Sequence, residues 1–119
     1  MGFSSFEQIN AWKEARKMTN HVYRITKDGN FAQDFGLRVQ IQRASISAMA
    51  NIADGFGGGS DASFVRFLEY GFRSATEVQS HLYVALDQDY INEKSFHDIY
   101  EMAKNVKSMI SGLIKYVEK

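Results

Sequence analysis

The chain has 119 residues, 45% of them hydrophobic and 24% charged, which supplies one domain-sized core and excludes a disordered tail. Lys+Arg and Asp+Glu number 14 each, so the formal net charge is zero and a strongly basic nucleic-acid clamp of the usual kind is excluded. With no Cys there is no disulfide framework, thiolate metal site or cysteine nucleophile, and with no Pro no helix is broken by a ring.

The opening residues, Met1 to Phe6, show neither the basic stretch nor the apolar run of a secretory signal. Phe6 stands where myristoylation needs Ser or Thr. No apolar run approaches the roughly 18 residues that span a bilayer. The expectation is a cytoplasmic helical domain with no membrane role.

In chain order, four helices are predicted over residues 10–28, 34–55, 60–88 and 92–118, all within a single domain, 1–119. Asn10 is suited to cap the first, because its side-chain oxygen accepts an orphan backbone N–H. Trp12, Ala15, Thr19, Val22 and Ile25 then recur at steps of three and four, which is one helical face. Lys27-Asp28-Gly29-Asn30 ends it, with Gly29 free to turn left-handed. Asp34 opens the second helix. Leu37, Ile41, Ala44, Ala48 and Ile52 line one face, and Val39, Ile46, Met49 and Ala50 are apolar elsewhere, so this helix is expected to be more covered than the first.

Gly55-Phe56-Gly57-Gly58-Gly59 stops the second helix, and Ser60 or Asp61 caps the third. Phe64, Leu68, Gly71, Ala75, Val78, Leu82 and Ala85 form a heptad-like stripe, the mark of a helix packed nearly antiparallel to its neighbours. Gly71 and Ala75 are small enough to admit a neighbouring backbone. Asp87-Gln88-Asp89-Tyr90 turns the chain and Asn92 caps the fourth helix. Phe96, Ile99, Ala103, Val106, Ile110, Leu113 and Val117 repeat the stripe. No strand-like alternation competes, and long helices with short links predict an all-α, up-down-up-down antiparallel four-helix bundle.

Neutrality is a sum of opposed segments. Residues 10–28 carry Lys13, Arg16, Lys17, Arg24 and Lys27 against Glu14 and Asp28, a net of +3. Residues 60–90 carry Arg66 and Arg73 against Asp61, Glu69, Glu77, Asp87 and Asp89, a net of −3. The basic stripe reads as a solvated face, as a track of phosphate contacts, or as one side of a self-association in which a positive helix meets a negative one.

Catalytic and ligand motifs mostly fail. Gly55 to Ser60 lacks the Lys of a phosphate loop and follows a helix rather than a strand, so it reads as a helix-to-helix turn. Glu77 and His81 are four apart, as are His97 and Glu101, whereas di-iron bundles use Glu and His three apart on two helices. No metal site and no cofactor are expected. Ser45 and Ser47 have no partners at triad spacing. Arg43, Asn51, Asp54, Glu77 and Arg73 are polar groups close to apolar faces. They read either as a buried structural network, in which Arg43 and a carboxylate satisfy each other, or as a polar pocket or oligomer contact. Trp12, Tyr23, Tyr70, Tyr83 and Tyr100 would stack on bases if exposed.

Phe6-Glu7-Gln8-Ile9-Asn10-Ala11-Trp12-Lys13-Glu14-Ala15 resembles the opening F-x-x-L-x-V-W-x-x-A of the bacterial four-helix-bundle family called S23 ribosomal protein or 23S rRNA intervening-sequence protein. The run from Gly36 to Gly55 resembles its G-L-x-x-Q-I-R-R-A-x-x-S-I-P-A-N-I-A-E-G. Phe64, Phe67-Leu68, Ser74, Glu77 and Leu82 resemble its third-helix pattern, and Gly112-Leu113-Ile114 its close. There are departures. Met49 stands at a position where the family favours Pro, Gln42 replaces an Arg, Asp54 replaces Glu, Arg73 stands where Gly is usual, and His81 replaces Gln.

The resemblance implies a ring-like homo-oligomer, a pentamer in known members. It also implies a relation to the accessory protein of diversity-generating retroelements, which binds nucleic acid and a reverse transcriptase through a basic surface. The expected function is therefore a non-enzymatic oligomeric bundle associated with RNA, a ribonucleoprotein or a nucleic-acid enzyme. The alternative is a protein-only scaffold. Lys13, Arg16, Lys17, Arg24, Lys27 and Arg38 are the expected phosphate contacts. Arg43, Asn51, Asp54, Arg73 and Glu77 are expected to hold the bundle or its interface.

Overall fold

A computed structural model describes residues 2–119. Five helices follow a short 3-10 turn at Phe6–Gln8: α1 (Asn10–Thr26), α2 (Gly29–Gln33), α3 (Phe35–Phe56), α4 (Asp61–Asp87) and α5 (Glu93–Val117). The four long helices form an up-down-up-down antiparallel bundle 45 Å long and about 20 Å across (21 × 19 Å). At 1.5 Å per residue, the 27 residues of α4 account for nearly all of that length. Around the bundle, α1 packs on α3 and α5, and α4 packs on α3 and α5. Thus α1 and α4 occupy diagonal corners.

The helix starts follow from side-chain chemistry. Asp34, Ser60 and Asn92 each accept a backbone N–H three residues on, from Leu37, Ser63 and Ser95 respectively. Asn10 does not cap: it is the first residue of α1, and Ile9 precedes it with no side-chain bond. Gly29 does turn left-handed, at φ +67°, but it opens α2 instead of a loop. This one-turn helix escaped the periodicity because five residues carry no pattern. It buries Phe31, which stacks on Tyr90 at 5.3 Å. After α4, Asp89 takes φ +60°, and the Tyr90 and Asp89 N–H groups reach back to the Ala85 and Leu86 carbonyls. That is a Schellman turn with Asp in the place usual for Gly.

The core stripes of α4 and most of α5 lie where the heptads put them. Leu113 and Val117 are half-buried at the end of α5. In α1 the buried set is Ala11, Ala15, Met18, Thr19, Val22 and Thr26. Trp12 and Ile25 are only half-buried, because they stand at the two opposite edges of this face. Thr19 and Thr26 are tolerated inside because each hydroxyl donates to the carbonyl four residues back, at 2.8 Å. Gln42 then donates to the Thr26 hydroxyl at 3.0 Å, tying α3 to α1.

A neighbouring backbone does approach Gly71, but the closest approach between α3 and α4 falls at a second glycine, Gly55. A Cβ on Gly71 would meet the Ala48 carbonyl and Ile110 at 3.4 Å, ordinary contact. A Cβ on Gly55 would stand 2.6 Å from Phe67 Cβ and 3.1 Å from the Phe64 ring. Gly55 therefore belongs to the last turn of α3 and lets the first turns of α4 cross against it.

Asp34 does two jobs. One carboxylate oxygen accepts the Leu37 N–H at 3.1 Å, and the other accepts the Tyr90 hydroxyl at 2.9 Å. The cap of α3 is thereby fastened to the α4–α5 turn. That hydrogen bond, then burial and the charge of Asp34, raise the Tyr90 pKa above the usual tyrosine value.

Gly55→Ala is expected to cost about 1–3 kcal/mol by overpacking, whereas Gly71→Ala is expected to be neutral or stabilising by up to about 1 kcal/mol through helix propensity; urea titrations of the two variants check this contrast. Asp34→Ala is expected to lose about 1 kcal/mol with the cap. Because Tyr90 binds its proton more tightly when folded, stability is held below the unfolded tyrosine pKa and declines as pH rises through the folded one. Tyr90→Phe is expected to lower the melting temperature at neutral pH and to remove that part of the alkaline loss, as read by melting curves against pH.

Candidate functional site

Lys13, Lys17, Arg24 and Lys27 are all exposed, and their spacing puts them on the outer side of α1. Arg16 lies at the edge of this stripe, turned toward α3, with its guanidinium 5.8 Å from the centre of the Trp12 ring. Together the five span about 21 Å of helix. Among the described residues the ion pair within 4 Å is Lys94–Asp98, so no carboxylate neutralises the stripe by direct contact. Lys17 nevertheless lines an open groove between α1 and α5 that also contains Glu14, Asp98 and Glu101. Its surroundings are of mixed sign, unlike those of Arg24, whose guanidinium stands 3.4 Å from His21 Nε2.

Arg38 is not part of the stripe. It sits in the first turns of α3, with its guanidinium 5.3 Å from the exposed Phe35 ring. Its Nε is buried with no hydrogen-bond partner. Since Gln42, one turn on, reaches Thr26, Arg38 stands level with the end of α1 rather than along it.

The polar residues of the α3–α4 seam are brought together, but not as a buried ion network. Arg43, Asp54, Glu77 and Arg73 are exposed. The expected buried pair between Arg43 and a carboxylate is absent, because these side chains leave the seam for water instead of entering the core. Arg43, Ser47, Glu77 and His81 line one open groove of about 280 Å³. Below it runs a chain of short polar groups. Asn51 Nδ2 donates to the Ser47 carbonyl and hydroxyl at 2.9 and 3.0 Å, and Ser74 Oγ lies 2.9 Å from Ser47 Oγ. Asn51 thus lies in the α3–α4 seam. Arg73 stands farther out, with its guanidinium 5.9 Å from the Tyr70 ring.

The acidity of the 60–90 segment is not a continuous face. The outer side of α4 alternates Arg66, Glu69, Arg73 and Glu77, and the excess comes from Asp61, Asp87 and Asp89 at its ends. The basic stripe of α1 is the more coherent feature.

Sequence reasoning missed two buried polar residues, Thr26 and Gln79. Gln79 is 7% exposed; its Oε1 accepts from Lys107 Nζ at 3.0 Å, and its Nε2 points to the Tyr100 carbonyl at 3.5 Å. Lys107 in turn lies 5.0 Å from the Phe72 ring centre. A Gln adjoining the α4 heptad stripe was the available signal. The Tyr83–Phe96–Tyr100 cluster fills the neighbouring α4–α5 groove, with ring centres 4.9–6.0 Å apart. These rings pack mainly on one another.

Among the described residues no group of three His, Cys, Asp or Glu is placed to hold a metal ion, and no helix is long and apolar enough to cross a membrane.

A crystal structure of a protein with unknown function from the S23 ribosomal protein family of Bacteroides thetaiotaomicron VPI-5482 superposes with a TM-score of 0.80. It covers 88% of this chain and 98% of that one at 20% identity, a likeness of fold. No curated protein matches the sequence. A sequence model of the family described as 23S rRNA-intervening sequence protein matches residues 7–112, from the 3-10 turn to the last turns of α5. The chain belongs to the 23S rRNA-intervening sequence protein family.

Proposed function

We propose that the chain is a non-enzymatic accessory protein associated with RNA or a ribonucleoprotein, working as a homo-oligomer. The supporting observation is the outer side of α1, where Lys13, Lys17, Arg24 and Lys27 stand exposed without direct carboxylate partners. A row of such cations along a rigid helix suits a phosphate backbone, whose condensed counterions are released on contact. Tyr23, 42% exposed, lies beside the stripe and offers a ring face for base stacking. The family description ties these proteins to the intervening sequences of 23S rRNA. Zero net charge makes a single copy a weak binder, and repetition of the stripe in an oligomer raises the effective affinity.

A protein-only scaffold is the second reading. It is favoured by the apolar outer side of α3, where Phe35 is 67% and Ile46 44% exposed.

Salt dependence separates the two. Binding of a structured ribosomal RNA fragment, followed by fluorescence anisotropy, is expected to weaken steeply between low and physiological salt. Arg24→Glu combined with Lys27→Glu is expected to cut affinity about tenfold or more and to flatten the salt slope by about one unit per contact removed. Arg66→Glu, on the outer side of α4, the helix diagonal to α1, is expected to change little. Absence of binding at low salt would leave the scaffold reading.

A further inference from the structure

The bundle has four outward seams, one between each pair of neighbouring helices. Three of them carry carboxylates: Glu14, Asp98 and Glu101 in the α1–α5 seam, Glu77 in the α3–α4 seam and Glu69 in the α4–α5 seam. The α1–α3 seam differs. The bonds from Thr19 to Ser45 and from Gln42 to Thr26 fix which residues meet across it. Helical spacing then turns Trp12, Arg16 and Tyr23 toward it from α1, and Arg38, Gln42 and Ile46 from α3. Among the described residues none along its length is acidic. Acidic residues stand at its ends, Glu7 in the 3-10 turn and Asp28 and Asp34 in the connection from α1 to α3. Of these, Asp34 is committed to Leu37 and Tyr90.

This seam adjoins the cationic row of α1 and is the aromatic side of it. Tyr23 and Phe35 are exposed, Phe35 more than any other large hydrophobic side chain among the described residues. The Arg16 guanidinium lies over the Trp12 ring and that of Arg38 over the Phe35 ring, and neither is in an ion pair. Arg38 is half-buried with its Nε enclosed, so packing holds the planar group in place. The exposed rings elsewhere have a different setting. Tyr70 and Tyr83 pack edge-on against Phe67 and Phe96 on α4 and α5, beside seams that carry carboxylates. Tyr116 is in the last turn of α5, two residues from Glu118.

A polynucleotide presents an anionic backbone and flat bases. A row of cations holds the first, and aromatic rings and arginine planes stack on the second. A strand with unpaired bases uses both parts of this surface. In a duplex the bases stack on one another inside, and the rings beside the row gain nothing. We propose that the α1–α3 seam is a stacking platform for single-stranded RNA. Its phosphates follow Lys13, Lys17, Arg24 and Lys27, and its bases turn onto Tyr23, Phe35 and the Arg38 guanidinium. This rests on the RNA-associated reading of the proposed function and names the form of RNA that the site takes.

Fluorescence anisotropy with an unstructured RNA strand, a duplex of the same length and an abasic strand tests this. Charge alone would favour the duplex, where the phosphates are denser; the platform is expected to reverse that order in favour of the single strand. Tyr23→Ala and Phe35→Ala are each expected to weaken single-strand binding about fivefold or more, with the salt slope and duplex binding unchanged. Tyr23→Phe, which keeps the ring, is expected to bind as the wild type, and so is Tyr116→Ala, which removes an exposed ring elsewhere. The abasic strand is expected to bind more weakly than the intact one and to be indifferent to Tyr23→Ala. All variants alter exposed side chains and are expected to keep their helical circular dichroism. No binding of strand or duplex at low salt would overturn both this inference and the RNA-associated reading. A duplex bound as tightly as the strand, or ring variants that bind the strand as the wild type does, would overturn the platform alone. Equal losses on strand and duplex would overturn it as well.

Discussion

The close crossing of α3 over α4 is the constraint on which the rest of the molecule depends. Where Gly55 meets Phe64 and Phe67 there is no room for a Cβ. Farther along, Ala48 faces Gly71, and Ser47 bonds Ser74, so small residues hold the two helices together over several turns. Side chains this short leave little lateral freedom, because a well-packed contact admits neither voids nor extra atoms. The α3–α4 pair is the most extensive helix contact in the bundle, and α1 and α5 complete the square against it. The diagonal placement of α1 and α4 follows from that order.

The same constraint decides what reaches the surface. With its small residues committed to α4 and its Ile and Ala residues to the core, α3 has no further neighbour inside the chain. Phe35 and Ile46 are left exposed and Val39 half-buried, at about 25 cal/mol per Å² of apolar surface kept in water. Arg43, Glu77 and His81 are likewise lifted to the rim of a shallow groove instead of being drawn into a network. A buried ion pair would have carried a desolvation cost that an exposed one avoids.

Charge is distributed differently over the outer sides of the helices. The stripe of α1 is exposed along its length and only at Lys17 lies near acidic groups from α5. The charges of α4 alternate and largely cancel along its outer side. The outer side of α1 is therefore cationic, whereas that of α3 is apolar at Phe35 and Ile46 with charges of both signs at its edges. The two meet at Arg16, on their common edge.

What the sequence by itself determined is the set of long helices and most of their ends. The heptad stripe from Phe64 to Ala85 is buried throughout, and Asp34, Ser60 and Asn92 cap as their chemistry dictates. These features are local, set by spacing and by side-chain oxygen atoms near orphan N–H groups. The cations of α1 were legible for the same reason, since helical spacing alone puts Lys13, Lys17, Arg24 and Lys27 on one side. Only the tertiary structure decided the rest. It left Trp12 and Ile25 at the edges of the α1 face with Met18 and Thr26 inside, folded Gly29–Gln33 over Tyr90, and made the crossing tighter at Gly55 than at Gly71. It also separated Arg38 from the stripe and Arg43 from any buried carboxylate. These outcomes depend on how far apart two helix axes lie and which sides they turn to each other, and no window of sequence within one helix contains that distance.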